Sequence, residues 1–205
     1  MKKLVSLIIG VVAFVATSQA QVELTPFVGY TFSDKFYAGR IGEGTSYGVS
    51  VAYPVFRFAS LDFTYMGQNG EAKVFEKGAN DRFDLNSSYY LLGLTKNLPI
   101  SPKFQVFTGA GLGLAVYDPN VIEYDSMIQF GVGFKAGLKF WFSNRVGLFV
   151  QGNANFPVTD VNADVWWTLG GGADGGLSTN VPFTQFGFSG GLAFKIGQIS
   201  SGVEK

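Results

Sequence analysis

The 205-residue chain contains neither cysteine nor histidine. Without cysteine it has no disulfide framework and no thiolate metal ligand. Without histidine it cannot build a Ser-His-Asp triad, and it lacks the commonest transition-metal ligand. The sequence therefore predicts no catalytic residues, no cofactor and no resident metal. We expect its stability to come from secondary structure and its surroundings.

An excess of charge is also missing, since 15 Lys and Arg balance 15 Asp and Glu. A nucleic-acid-binding protein would be strongly basic, so this class of partner is excluded. After residue 20, no apolar run is long enough for a transmembrane helix. Phe, Tyr and Gly are abundant instead, with 21, 9 and 28 copies. This composition is typical of many strands joined by tight turns.

The first twenty residues have the pattern of a secretory signal peptide. Lys2 and Lys3 precede the apolar run Leu4–Ala16, and small residues end the segment at Ser18–Ala20. The apolar run is too short to span a membrane comfortably. We therefore predict cleavage after Ala20, which leaves one domain over residues 21–205.

Alternation with a period of two is the strongest pattern in that domain. In Ile128–Phe142, apolar residues occupy the even positions, and Gln, Gly or Lys occupies each odd position from 129 to 139. The alternation does not settle which face of Ser88–Lys96 points outward. The eight predicted strands are Val22–Phe32, Thr45–Tyr53, Phe58–Met66, Ser88–Lys96, Phe104–Val116, Ile128–Phe142, Val146–Phe156 and Phe183–Ile196.

The predicted connections alternate between long and short. The long ones are Ser33–Gly44, Gln68–Ser87, Tyr117–Met127 and Pro157–Pro182. The short ones are Pro54–Arg57, Asn97–Lys103 and Ser143–Arg145. Long loops at one end and short turns at the other are typical of outer-membrane barrels. The sequence thus predicts an all-β, eight-stranded, antiparallel, up-and-down transmembrane barrel with periplasmic termini.

A soluble barrel also alternates, so the lipid-facing side needs a separate argument. The less apolar face of these strands consists mostly of Gly, Ser, Asn and Gln. A water-exposed face would normally carry many more Lys and Glu. The small polar face is therefore predicted to line a narrow lumen, and the Phe, Leu, Val and Ile face to contact lipid.

The predicted lumen contains five charged residues, because a charge facing lipid at membrane depth is costly. They are Glu23, Asp62, Lys135, Lys139 and Lys195. Glu23 and Lys195 lie near the periplasmic ends of strands that must pair to close the barrel, so we predict an ion pair between them. The charges can form a path for solutes or a hydrogen-bonded plug. The narrow bore of eight strands favours the plug.

The last predicted strand carries a motif near its end. Ser189, Gly191, Phe194 and Ile196 place a polar residue, a glycine and two apolar residues at the positions of the outer-membrane assembly signal. The chain therefore resembles the OmpA/OmpX-like small barrels, especially the outer-membrane β-barrel domain proteins of Bacteroidetes. This resemblance implies insertion in the outer membrane of a Gram-negative bacterium and contact with outer-membrane lipid.

Functional expectations rest on the predicted long loops, where acidic residues outnumber basic ones. An acidic rim could contact divalent cations or a basic surface partner, or could only keep the loops soluble. Trp166 and Trp167 lie in the longest loop and could anchor a partner or pack locally. The sequence favours a non-enzymatic membrane scaffold for surface loops, with roles in interaction or envelope integrity. The alternative is a narrow channel or transporter for small or apolar solutes.

Overall fold

A computed structural model describes residues 21–36, 39–76, 79–120, 126–158 and 185–197. Nearly all of these residues are in antiparallel strands. Among them, no helix is long and apolar enough to cross a membrane. The strands are β1 (Val22–Thr31), β2 (Asp34–Phe36), β3 (Gly39–Phe56), β4 (Ala59–Glu76), β5 (Ala79–Pro99), β6 (Phe104–Pro119), β7 (Met127–Trp141), β8 (Val146–Val158) and β9 (Gln185–Ile196).

The sheet closes on itself. Its order is β1-β9-β8-β7-β6-β5-β4-β3-β2, and β1 also pairs with β3. β2 is a three-residue strand that pairs with the start of β3, so eight strands form the barrel wall. Closure is favoured because an unpaired backbone N–H or C=O in hydrocarbon costs several kcal/mol. The prediction of an eight-stranded up-and-down barrel is confirmed.

The seam between the first and last strands contains a proline. β1 and β9 share one register, from Val22 opposite Ile196 to Thr31 opposite Gly187. The pairs at Thr25 and Pro26 are missing from this ladder, whereas Pro26 lies opposite Val49 on the other side. Proline has no N–H to donate, so a strand that keeps its other ladder can tolerate it.

One part of the wall is much longer than the rest. β3, β4 and β5 have 18, 18 and 21 residues, whereas β1 has 10. The predictions of long loops at Ser33–Gly44 and Gln68–Ser87 are therefore wrong for most of their length. Beyond the bilayer a strand needs no apolar face, so Glu71 pairs with Asp84 and Lys73 with Arg82 without an alternating signal.

We call the barrel end with the short connections at residues 57–58, 100–103 and 142–145 the turn end, and the opposite end the loop end. In outer-membrane barrels the short turns face the periplasm. β9 reaches the turn end at Ile196. The next residue, Gly197, has a φ of 113°, which a glycine adopts without strain.

The apolar face points outward, as predicted. Val28, Leu92 and Phe188 are 67%, 56% and 62% exposed, while Ser50 and Thr64 on the other face are buried. The facing of the fourth predicted strand is now settled, with Tyr90, Leu92 and Leu94 outside and Tyr89, Leu91 and Thr95 inside. Its two faces are similarly apolar, which explains why alternation left the facing open.

Aromatic rings concentrate near both ends of the outer surface. Near the turn end, the Phe104 and Phe140 ring centroids are 5.2 Å apart. Near the loop end, the Phe32 and Phe188 ring centroids are 5.1 Å apart. Two belts of this kind mark the water interfaces of a membrane barrel. The wide apolar surface between them is the part that contacts acyl chains.

Candidate functional site

The turn-end half of the lumen contains an ion pair that crosses the bore. Lys135 Nζ on β7 lies 3.0 Å from Asp62 Oδ2 on β4, and Asp62 is only 4% exposed. Two strands lie between β4 and β7 on one side of the barrel wall and four on the other, so the contact spans the interior. Thr95 donates a hydrogen bond to the same carboxylate, and Lys135 donates to Thr64 Oγ1 at 3.2 Å. The buried charges are thus paired and hydrogen-bonded, as burial requires.

A second ion pair lies nearer the turn end. Lys139 on β7 pairs with Glu23 on β1, again across the bore. Lys139 Nζ also donates to Asn97 Oδ1 at 3.3 Å and lies 4.6 Å from the centroid of the Phe107 ring. Two lysines of β7 therefore cross the bore, Lys135 to β4 and Lys139 to β1. Together the two ion pairs bridge most of the bore.

The predicted ion pair between Glu23 and Lys195 is wrong in its partner. The two residues are directly opposite in the β1–β9 ladder, but the Glu23 carboxylate pairs with Lys139. The Lys195 ammonium lies 3.9 Å from the centroid of the Trp141 ring, and the Trp141 indole donates to Gln105 Oε1 at 3.2 Å. A cation over an indole is the most favourable cation–π arrangement.

Large side chains fill space beside the lumenal glycines. An added Cβ on Gly137 would meet the Phe107 ring, and one on Gly48 would meet the Phe27 ring. Phe107 and Phe149 contact each other edge to face at 6.4 Å, and both are buried. Sequence reasoning missed these interior rings. The alternation could have shown this for Phe107, since it occupies the same face of its strand as Gly109 and Gly111.

The loop-end half of the lumen is also polar, but several of its buried polar groups lack a hydrogen-bond partner among the described residues. The Tyr89 and Tyr117 hydroxyls are 2.7 Å apart and hydrogen-bonded. Gln68 and Gln185 are 2% and 0% exposed. Within the described ranges, Gln68 Oε1, both amide atoms of Gln185 and Asn153 Oδ1 are buried without a hydrogen-bond partner. Such groups are costly to bury unless water or a ligand reaches them.

The outer surface beyond the loop-end belt is acidic. Glu43 on β3, Glu71 on β4 and Asp84 on β5 line a concavity of about 800 Å³, together with Asn69 and Asn86. No cluster of three or more Asp or Glu side chains in the described ranges is arranged to hold a metal ion. Trp166 and Trp167 lie outside the described residues.

Comparison with known proteins adds to this geometry. No protein-family model and no curated protein matches the sequence. The fold matches Neisserial surface protein A with a TM-score of 0.59 and 15% identity, covering 85% of this chain and 97% of that one. It matches the outer-membrane protein AlkL, solved in DMPC bilayers, with a TM-score of 0.54 and 13% identity, covering 91% of this chain and 94% of that one. OprG of Pseudomonas aeruginosa matches with a TM-score of 0.53 and 12% identity, covering 90% of this chain and 99% of that one.

The fold is that of the small outer-membrane β-barrels. At these identities the likeness supports the OmpA/OmpX-like architecture, and membership of the Bacteroidetes family stays a prediction. The exposed apolar belt and its two aromatic borders independently require a bilayer around the barrel. The protein is therefore a membrane barrel in contact with lipid, and it has the fold of the small outer-membrane barrels.

Proposed function

We propose that this barrel is a non-enzymatic outer-membrane scaffold that presents the long β3–β5 wall at the cell surface. The observation that supports the proposal is the pair of ion bridges that cross the bore, Lys135 to Asp62 and Lys139 to Glu23. The interior of an eight-stranded barrel is about filled by side chains. Because ion pairs cross the bore and aromatic rings pack beside them, the lumen acts as a plug that stiffens the barrel. The function is then carried by the outer surface.

Planar-bilayer recording of the purified mature chain tests the plug. We expect no stepwise conductance. The double variant Asp62→Gly/Lys135→Gly removes one bridge and its side-chain volume, so small conductance steps are expected from it. Thr108→Gly, which trims an outward-facing side chain, is the matched control and should stay silent. Regular steps from the unaltered protein would contradict the scaffold.

The alternative is a narrow channel for small or apolar solutes. It is supported by amide atoms of Gln68, Asn153 and Gln185 that have no hydrogen-bond partner within the described ranges and that water or a polar solute could satisfy. The same recording separates the two functions, because a channel must conduct or transport with both bridges intact. Solute-swelling assays on proteoliposomes would detect uncharged cargo that carries no current.

The acidic concavity on the outer wall gives the scaffold a candidate partner surface. Glu43, Glu71 and Asp84 would attract a basic peptide or divalent cations at the cell surface. We expect Glu43→Gln/Glu71→Gln/Asp84→Asn to weaken binding of Ca²⁺ or of an oligolysine peptide severalfold. The control Asp118→Asn removes an exposed acid of β6 that does not line the concavity. Equal binding by all three proteins would exclude this site.

Display of the long wall has its own test in intact cells. A short epitope inserted between residues 77 and 78, where β4 and β5 connect, should bind antibody without permeabilisation. The same epitope between residues 101 and 102, in a turn-end connection, should bind antibody only after the outer membrane is opened. The reverse pattern would place the β3–β5 wall in the periplasm and contradict the proposal.

A further inference from the structure

The outer surface has a hollow near the turn end. Small residues on two strands, Ala59 on β4 and Thr108 and Ala110 on β6, leave a depression with a volume of about 530 Å³. Larger apolar side chains border it, namely Phe56, Phe58, Leu94 and Phe134. The hollow opens to the bilayer and follows the strands inward from the turn end. Its shape and apolar lining suit a single acyl chain.

A lysine lies on the lipid face inside this hollow. Lys96 on β5 sits between Ala59 on β4 and Thr108 on β6, and it points outward like Leu92 and Leu94. Lys96 is the last residue of the predicted strand Ser88–Lys96, but β5 continues to Pro99. Leu98 and Ile100 follow it toward the turn, and both are exposed. Lys96 is therefore a cation within the apolar surface.

Arg57 lines the same hollow from the turn between β3 and β4. Its guanidinium carbon is 5.2 Å from the centroid of the Phe58 ring. In the described part of the chain, neither Arg57 nor Lys96 forms an ion pair with an acid, because both ion pairs found there are inside the lumen. Among the residues that the structure describes, the two cations at the hollow thus lack a counter-charge.

We propose that the hollow binds one phospholipid of the periplasmic leaflet that carries a net negative headgroup. The lipid phosphate lies between Lys96 and Arg57, and one acyl chain fills the depression over Thr108 and Ala110. Anionic oxygens and two cationic donors form strong charge-assisted hydrogen bonds in a medium of low dielectric constant. A cation on the lipid face costs little near the interface when a headgroup reaches it.

A second outer hollow provides an internal comparison. It has a volume of about 680 Å³, and its outward-facing lining includes Val28, Tyr30, Leu138, Val150 and Phe188. No charged side chain of the described segments lines it. An acyl chain can enter this hollow as well, but nothing there selects the headgroup. The charge at Lys96 and Arg57 should therefore appear as headgroup preference at one hollow and not at the other.

The test uses the absence of cysteine in the chain. A fluorophore is attached at Thr108→Cys in one sample and at Val150→Cys in another, and each barrel is reconstituted in phosphatidylcholine. Brominated phosphatidylglycerol or brominated phosphatidylcholine is then titrated in. Local enrichment of the anionic lipid over phosphatidylcholine should be roughly fivefold or more at Thr108, given the attraction of each interfacial cation. At Val150 the two lipids should quench about equally.

Charge variants complete the test. Arg57→Gln/Lys96→Gln should bring the Thr108 ratio to about one, whereas Lys103→Gln/Arg145→Gln removes the same charge at the same end and should preserve the preference. Heat-modifiable gel migration checks that each variant is folded. Equal quenching by both lipids at Thr108 in the unaltered background overturns the proposal. So does a preference that survives loss of Arg57 and Lys96, or coupling of two Thr108→Cys chains by a bismaleimide in place of quenching.

Discussion

The two halves of the lumen use similar residue types in different ways. In the turn-end half, the carboxylates of Asp62 and Glu23 each meet a lysine that crosses the bore. In the loop-end half, Gln68 and Gln185 are as deeply buried, yet amide atoms of both lack a partner in the described residues. Burial alone is therefore a poor guide to rigidity. The turn-end half is the part that seals the barrel, and the loop-end half is where water or solute can enter.

The largest expected effect comes from breaking one bridge of the turn-end half. Lys135→Met leaves the Asp62 carboxylate buried and unpaired, which should lower the unfolding free energy by about 3–5 kcal/mol. Urea unfolding in lipid vesicles, followed by tryptophan fluorescence, measures the change. The double variant Asp62→Leu/Lys135→Met removes both charges and should recover most of the loss. If Lys135→Met left the unfolding free energy unchanged, the two halves of the lumen would not differ in their contribution to stability.

A hydrogen bond to the same carboxylate gives the next largest effect. Thr95→Val removes the hydroxyl that donates to Asp62 and should cost roughly 1.5–3 kcal/mol, the range for a hydrogen bond to a charged group. Thr108→Val is the control, since Thr108 points to lipid. It should be neutral or slightly stabilising in the same unfolding experiment. Equal effects of the two changes would place Thr95 outside the network.

Packing in the turn-end half predicts an effect of similar or smaller size. Gly137→Ala places a Cβ against the Phe107 ring and the β8 backbone, which should cost about 1–3 kcal/mol. On the neighbouring strand, the nearest atom to a Cβ added at Gly152 is 3.9 Å away, so Gly152→Ala should cost much less. A tolerant Gly137 would show that the bore is looser than the contacts indicate.

The smallest effect is expected in the loop-end half. Gln68→Leu replaces an amide whose oxygen has no hydrogen-bond partner among the described residues with an apolar group of similar size. Stability should therefore change by less than about 1 kcal/mol and can rise. Asn97→Leu makes the same kind of change in the turn-end half, where Asn97 accepts from Lys139. It should destabilise clearly. If Gln68→Leu were the more damaging variant, the contrast between the halves would be reversed.

Much of the fold could be predicted because one signal recurs along the chain. Apolar and small residues alternate in strand after strand, as in Ile128–Phe142, and this fixed the strand number and which face meets lipid. The signal fails where one face is no longer constrained. Residues 68–76 and 79–87 continue as strands outside the bilayer, where polar residues suit both faces.

The lumenal contacts were less predictable. Adjacent strands are apparent from chain order, so Glu23 was matched to Lys195 in the neighbouring strand. Its actual partner, Lys139, lies across the bore at a height set by strand tilt and stagger, which the alternation does not encode. The outward lysine at Lys96 was hidden for a similar reason, because the end of β5 could not be located from composition alone.

Along each strand within the bilayer, every second residue faces lipid, and the residues between them face a sealed lumen. Nitroxide scanning of residues 132–139 on β7, with oxygen and a water-soluble nickel complex as relaxation agents, tests it directly. Even positions should show high oxygen and low nickel accessibility, and odd positions should be inaccessible to both. Nickel access at the even positions would contradict the lipid-facing assignment, and nickel access at 135 and 137 would contradict the seal.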